Sequence, residues 1–189
     1  MKKIVVIYHA ECSDGFGAAW SAWKKFGDTA EYIGAYHNEP PPKGLVSKEL
    51  YLADFTYFNE EIKKLIKDNN VTILDHHVSA EKTVKMAQQY VFSLDHSGAA
   101  IAWNFFHPKT KMPYIIRFVE AGDLWKFDRV ANSEAIRTTI DTKPFDFKVW
   151  DQTAAELETA KGRKKYTIEG NAILEYQNFE AQNLADQAD

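Results

Sequence analysis

The run Val71-Thr72-Ile73-Leu74-Asp75-His76-His77 carries four β-branched or apolar residues directly into an acid and two imidazoles. Alone, Asp-His-His is as readily a chance surface loop as a site. Two earlier apolar runs end the same way, residues 4–8 in His9 with Asp14 five residues on, and residues 49–53 in Asp54. Asp123, in Gly122-Asp123-Leu124-Trp125, can complete the ring. Carboxylates and imidazoles without paired thiolates suit manganese, magnesium or a related divalent ion better than structural zinc. Several acids this close would repel one another unless cations sat between them. Two ions about 3.5–4 Å apart are the usual solution, one binding the nucleophilic water and both holding phosphate oxygens.

The elements that must bring these residues together follow from periodicity. Strand-sized apolar runs at 4–8, 31–36, 49–53, 71–74 and 90–94 alternate with helical patterns at 16–26, 59–67, 79–89 and 97–106. Asn59 is expected to cap the second helix. Alternation of this kind predicts an α/β fold: a five-stranded, mainly parallel sheet flanked by helices, followed by a C-terminal helical segment. Ligands then bind beyond the carboxyl ends of the strands, where His9, Asp14, Asp54 and Asp75-His76-His77 share one edge. Pro113 opens a further helix. From Pro144 onward helices separated near Gly162 are expected, the last over 166–184. The expected division is a catalytic domain over 1–143 and a helical extension or linker over 144–189.

At 189 residues, 45% of them hydrophobic, the chain can bury a core, and a formal charge of −4 excludes a strongly basic nucleic-acid coat. The single cysteine forbids an internal disulfide and fits a reducing compartment. No apolar run reaches membrane-spanning length, so a cytoplasmic protein with no membrane partner is expected.

At these residues the chain resembles the DHH phosphoesterase superfamily, which includes RecJ-like exonucleases, oligoribonucleases, cyclic-dinucleotide phosphodiesterases and manganese pyrophosphatases. The matching stretches are His9 to Ala19, Tyr51-Leu52-Ala53-Asp54-Phe55, Leu74 to His77 and Gly122-Asp123-Leu124-Trp125, with Ser97-Gly98-Ala99-Ala100 resembling the family's small-residue helix start. The resemblance implies a metal-dependent phosphoesterase that cleaves a phosphodiester or phosphoanhydride by attack of a metal-bound hydroxide. Its substrate would be a nucleotide, another phosphate-containing small molecule or a short oligonucleotide. Two Mn²⁺ ions are implied, with Mg²⁺ or Co²⁺ as substitutes. Asp54 would bridge them; His9 would help hold one, and Asp14, His76 and Asp123 the other. Asp75 would orient an imidazole, and His77 would act on the scissile phosphate. Gly15, Ser97 and Gly98 would line the substrate. Alternation along an extended segment would point His76 and His77 in opposite directions.

The chain departs from the family pattern twice. Many members place an aspartate two residues before the one matched by Asp14; here Cys12 stands there, leaving Glu11 or Cys12 as the ligand. The family's glycine-rich, basic substrate domain would be expected to begin near Asp189, where the sequence stops. These departures favour the alternative of a different class, a degenerate binding or assembly module on the same fold without catalysis, which the intact Asp54, His76, His77 and Asp123 oppose. A homodimer through the C-terminal helices is a further expectation. Of the remaining residues, His96 is expected on a loop near the site, and His37 and His107 as polar loop residues. Trp20, Trp23 and Trp103 are expected in the core, with Trp125 closest to a ligand. The basic run at 161–165 is expected as a solvated helix junction.

Overall fold

The computed structural model describes residues 2–187. The chain divides into two compact units, Met1–Met112 and Pro113–Asp189.

The first unit is built on five strands: β1 (Ile4–His9), β2 (Ala30–Ala35), β3 (Glu49–Ala53), β4 (Asn70–Asp75) and β5 (Gln89–Phe92). All are parallel, in the order β2-β1-β3-β4-β5. The continuous apolar runs are explained by burial on both faces. Val5, Ile7, Leu50, Leu52, Val71 and Ile73 face one layer, where they meet Ile62 and Leu65 of α2 (Asn59–Asp68) and Val84 of α3 (Glu81–Val84). The intervening Val6, Ala53 and Leu74 face the other layer, with Ala18 and Ala22 of α1 (Ser13–Phe26) and Ile101 and Ala102 of α4 (Gly98–Phe106). Trp20 and Trp103 stack between α1 and α4 with centroids 5.7 Å apart. His107 stacks on Trp103, its Nε2 2.9 Å from the Ser21 carbonyl oxygen, which makes it part of this packing and not a loop residue.

Two local expectations are corrected. The helix expected over 79–89 is a single turn, Glu81–Val84. Gln88 interrupts it by acting as a backbone surrogate, its Nε2 donating to the Ile66 and Asn69 carbonyls and its Oε1 accepting from the Val71 N–H. Asn59 does not cap α2 but opens it, and its Oδ1 accepts from Thr83 Oγ1 at 2.6 Å.

The sheet order supplies the geometry that matters for a site. The chain leaves β1 toward β2 on one side, then returns across to β3 on the other. The crevice between the ends of β1 and β3 is therefore a topological switch point, the place where open α/β sheets bind ligands.

The second unit is helical: α5 (Tyr114–Asp123), α6 (Ser133–Asp141), α7 (Phe147–Leu157) and the long α8 (Ala160–Asp186). Gly170 lets α8 lie on α6, since a Cβ there would come within 2.9 Å of the Ala135 Cα. Thr159 caps α8 by accepting from the Gly162 N–H at 2.9 Å, so the break expected near Gly162 falls just before it. No helix among the described residues is long and apolar enough to cross a membrane.

Candidate metal centre

Three segments of the first unit converge at the switch point. After β1 the backbone turns at Glu11, whose φ of 53° is left-handed, and enters α1 with Cys12 at the N-cap. Asp14 then lies in the first turn of α1, fully buried. Its carboxylate is held by the start of another helix, with Gly98 N–H donating to Oδ2 at 2.7 Å and Ala99 N–H to Oδ1 at 3.0 Å. The N-terminus of α4 thus supplies two orphan donors and a favourable dipole to a buried anion.

Asp54 follows β3 with φ 55°, a left-handed conformation that aspartate tolerates better than most residues, while its N–H still bonds the Leu74 carbonyl at 2.8 Å. This turn brings the buried carboxylate back over the sheet edge, with Oδ2 3.8 Å from His9 Nδ1 and Oδ1 3.2 Å from His76 Nε2. Asp14 Oδ2 lies 3.6 Å from the same His76 nitrogen.

Asp75 ends β4 and turns the chain. Its Oδ1 accepts from the backbone N–H groups of His76 and His77 at 2.7 and 2.9 Å, and lies 2.8 Å from His77 Nδ1. An ionised carboxylate can only accept, so Nδ1 of His77 carries the proton and Nε2 is the nitrogen left for another partner. The imidazole that Asp75 orients is therefore that of His77. The alternation expected for the two histidines does not occur. Their rings are neighbours, with centroids 4.5 Å apart, because β4 has ended and the Asp75 cap bends the backbone. They differ in exposure, the His76 side chain at 13% and that of His77 at 40%.

Two glycines make room for this arrangement. A Cβ at Gly98 would lie 2.6 Å from Asp54 Cγ, and one at Gly15 would lie 2.8 Å from His9 Cβ. Gly98 and Ser97 were expected at the substrate. Both are buried, the Gly98 N–H is spent on Asp14, and the Ser97 hydroxyl accepts from the Ala100 N–H at 3.4 Å.

The electrostatics are those of a coupled cluster. Asp54 Oδ2, then the Cys12 side chain, hold His9 protonated up to about 10. Burial would push the Cys12 thiol up, but its hydrogen bond with His9 brings it below its ordinary value. Burial would likewise raise Asp54, and the imidazoles of His76 and His9 more than offset that.

Two donor groups within this unit are compact enough to hold a metal ion: His9, Cys12 and Asp54, and Asp54, His76 and His77. Asp54 belongs to both. Its Oδ1 receives no hydrogen bond although His76 Nε2 is 3.2 Å away. Two ligands on neighbouring vertices of a small divalent ion lie about 3 Å apart without bonding each other, so this spacing fits a shared cation. Of the alternatives Glu11 and Cys12, it is Cys12 that joins such a group. Glu11 accepts from the exposed Tyr36 hydroxyl at 2.9 Å.

Beside His77 opens a cleft of about 800 Å³ whose walls include His37, Phe55, Tyr57 and Phe58. His37 was expected as a plain loop residue. Its ring is 4.8 Å from that of His9 and 5.3 Å from Phe55. The signal that could have found it is topological, since His37 follows β2, whose carboxyl end lies on the same sheet edge. Asp123 belongs to the second unit, in the last turn of α5, where a helix dipole disfavours a carboxylate. Trp125 is there too, 83% exposed and with φ 53°.

No protein-family model matches the chain. It is similar to uncharacterized protein R106 of Acanthamoeba polyphaga mimivirus, with 29% identity across 93% of the chain. The chain spans 45% of that protein's length. In fold it is similar to an uncharacterized protein from Helicobacter pylori G27 whose crystal structure is known. The TM-score is 0.63 at 13% identity, covering 92% of this chain and 62% of the other.

Proposed function

We propose that the chain is a manganese-dependent phosphoesterase. It would hydrolyse a phosphodiester or phosphoanhydride in a phosphate-containing small molecule or a short oligonucleotide. The observation that supports this most is the position of Asp54, one buried carboxylate offering Oδ2 toward His9 and Oδ1 toward His76. A single acid placed between two donor groups is what a pair of cations requires. His9 and Cys12 would complete one position, and Asp14 and His76 the other, to which the sequence resemblance adds Asp123. Bound there, the ions would supply an activated water and neutralise phosphate oxygens.

The chain's own residues account for the remaining chemistry. The N–H groups of Gly98 and Ala99 hold and aim the Asp14 carboxylate. Asp75 holds a proton on His77 Nδ1 and stabilises the imidazolium, whose Nε2–H would donate to a phosphate oxygen or protonate a leaving group. Phe58, 69% exposed, and the exposed ring of His37 offer flat surface to the rest of the substrate.

Calorimetric titration of metal-free protein with Mn²⁺, followed by assay on a bis-aryl phosphodiester and on pyrophosphate, tests the reading. Two ions per chain and hydrolysis faster with Mn²⁺ than with Mg²⁺ are expected, because imidazole ligands soften the site. Two bound ions with no hydrolysis of either probe would leave a binding module in place of an enzyme. Asp54→Asn should lower occupancy at both positions.

A further inference from the structure

The two halves of the centre do not offer the same donors. On one side stand Asp14 and Asp54, both buried, with His76. On the other stand His9, Asp54 and a sulfur, Cys12. We infer that the pair of positions is chemically unequal. His9, Cys12 and Asp54 form a seat for a thiophilic divalent cation of the zinc or cobalt class, beside an oxygen-rich seat for a harder ion at Asp14, Asp54 and His76. The inference rests on the two-ion reading above and goes beyond it by assigning different ions to the two seats.

Four observations carry it. The three donors of the sulfur-containing group come from two loops, His9 and Cys12 from the turn between β1 and α1 and Asp54 from the turn after β3, and lie within 4.8 Å of one another. A shared outcome of two turns far apart in sequence is a built arrangement. Cys12 occupies the N-cap of α1, where its sulfur lies against the His9 ring and faces the first-turn N–H groups of Asp14 and Gly15. Asp54 is 1% exposed and its Oδ1 receives no hydrogen bond, so the acid common to both seats is not consumed by the fold. Finally, the one carboxylate in the loop that could harden the first seat is turned away. The left-handed φ at Glu11 sends that side chain to Tyr36 and leaves Cys12 facing inward.

Ligand softness then decides the occupant. Thiolate selects zinc and other soft or borderline ions, whereas carboxylate suits magnesium and manganese. A Cys-His-Asp set is a zinc-type donor combination, and as one half of a pair it leaves positions open for a substrate oxygen.

The test uses the chain's single cysteine, because any thiolate-to-metal signal must come from Cys12. Metal-free protein is titrated with Co²⁺ while the near-ultraviolet thiolate-to-cobalt charge-transfer band is recorded, with calorimetry in parallel. Two Co²⁺ should bind and only one should produce the band. Zn²⁺ should abolish the band, and equimolar Mn²⁺ should leave it. Cys12→Ser should lose it. Cys12→Asp should lose it while still binding two ions, now with Mn²⁺ preferred at both. Two bound Co²⁺ without a band, or a band that survives in Cys12→Ser, would overturn the inference and leave the two-ion reading standing. Absence of any Co²⁺ and Mn²⁺ binding would overturn both.

Discussion

At the scale of single residues, the division of labour between His76 and His77 is the sharpest consequence. His76, the more buried, has Asp14 and Asp54 about its Nε2, and His77 has Asp75 on its Nδ1. His76→Ala should weaken metal binding, with excess Mn²⁺ restoring part of the activity. His77→Ala should keep the ions and slow the chemical step by about 10²–10⁴-fold. Calorimetry beside turnover numbers separates the two, and equal loss of metal in both variants would sink the assignment. Asp75→Asn can still accept from the two backbone N–H groups but no longer stabilises a charged His77. Its effect should fall on turnover alone, by about 10–100-fold. The identities of these residues were legible in the sequence because each follows an apolar run. Their mutual orientation was not, because alternation holds only within a strand and β4 stops at Asp75. His37 escaped for another reason, since nothing local marks a residue whose only distinction is the strand it follows.

At the scale of elements, the N-terminus of α4 holds the centre together. It supplies both N–H groups to Asp14 and packs Gly98 against Asp54. Gly98→Ala would drive a methyl into that carboxylate, so α4 must withdraw. A loss of about 1–3 kcal/mol is expected, together with weaker binding of both ions. Ser97→Ala removes the cap at a cost of about 1 kcal/mol but leaves the donors to Asp14 in place, so metal affinity should largely persist. Urea melts with parallel calorimetry distinguish these outcomes. If Gly98→Ala binds Mn²⁺ as the wild type does, α4 is scaffold only. The strands could be read from sequence because burial on both faces leaves an unbroken apolar run. The helix after β4 could not, since Gln88 ends it through long-range bonds to Ile66, Asn69 and Val71. Nor could α6, whose Thr138 and Thr139 are poor helix formers and which depends on α8 lying close at Gly170.

At the scale of the whole chain, charge favours short substrates for the proposed phosphoesterase. The chain carries a net −4, and the cleft beside His77 is lined by Glu60 and Glu61 with neither lysine nor arginine among its described residues. A long phosphate backbone would find few cations to replace its counterions there. The KM for a dinucleotide should therefore depend weakly on salt, with a log–log slope below about 2 in magnitude. A steeper slope, measured between about 50 and 200 mM salt, would require a basic track elsewhere and overturn the expectation of short substrates.

The left-handed backbone at Asp54 has an evolutionary consequence. With the carboxylate removed, the φ of 55° remains, and a residue without a Cβ suits it best. Asp54→Gly should be more stable than Asp54→Ala by about 1–2 kcal/mol, the reverse of the order in ordinary secondary structure, and thermal melts of the two metal-free variants measure it. Equal melting temperatures would mean that the turn relaxes. A lineage without the proposed cations would have a downhill path at this position, toward glycine, and a descendant that had abandoned the proposed chemistry would be recognisable by the glycine it acquired.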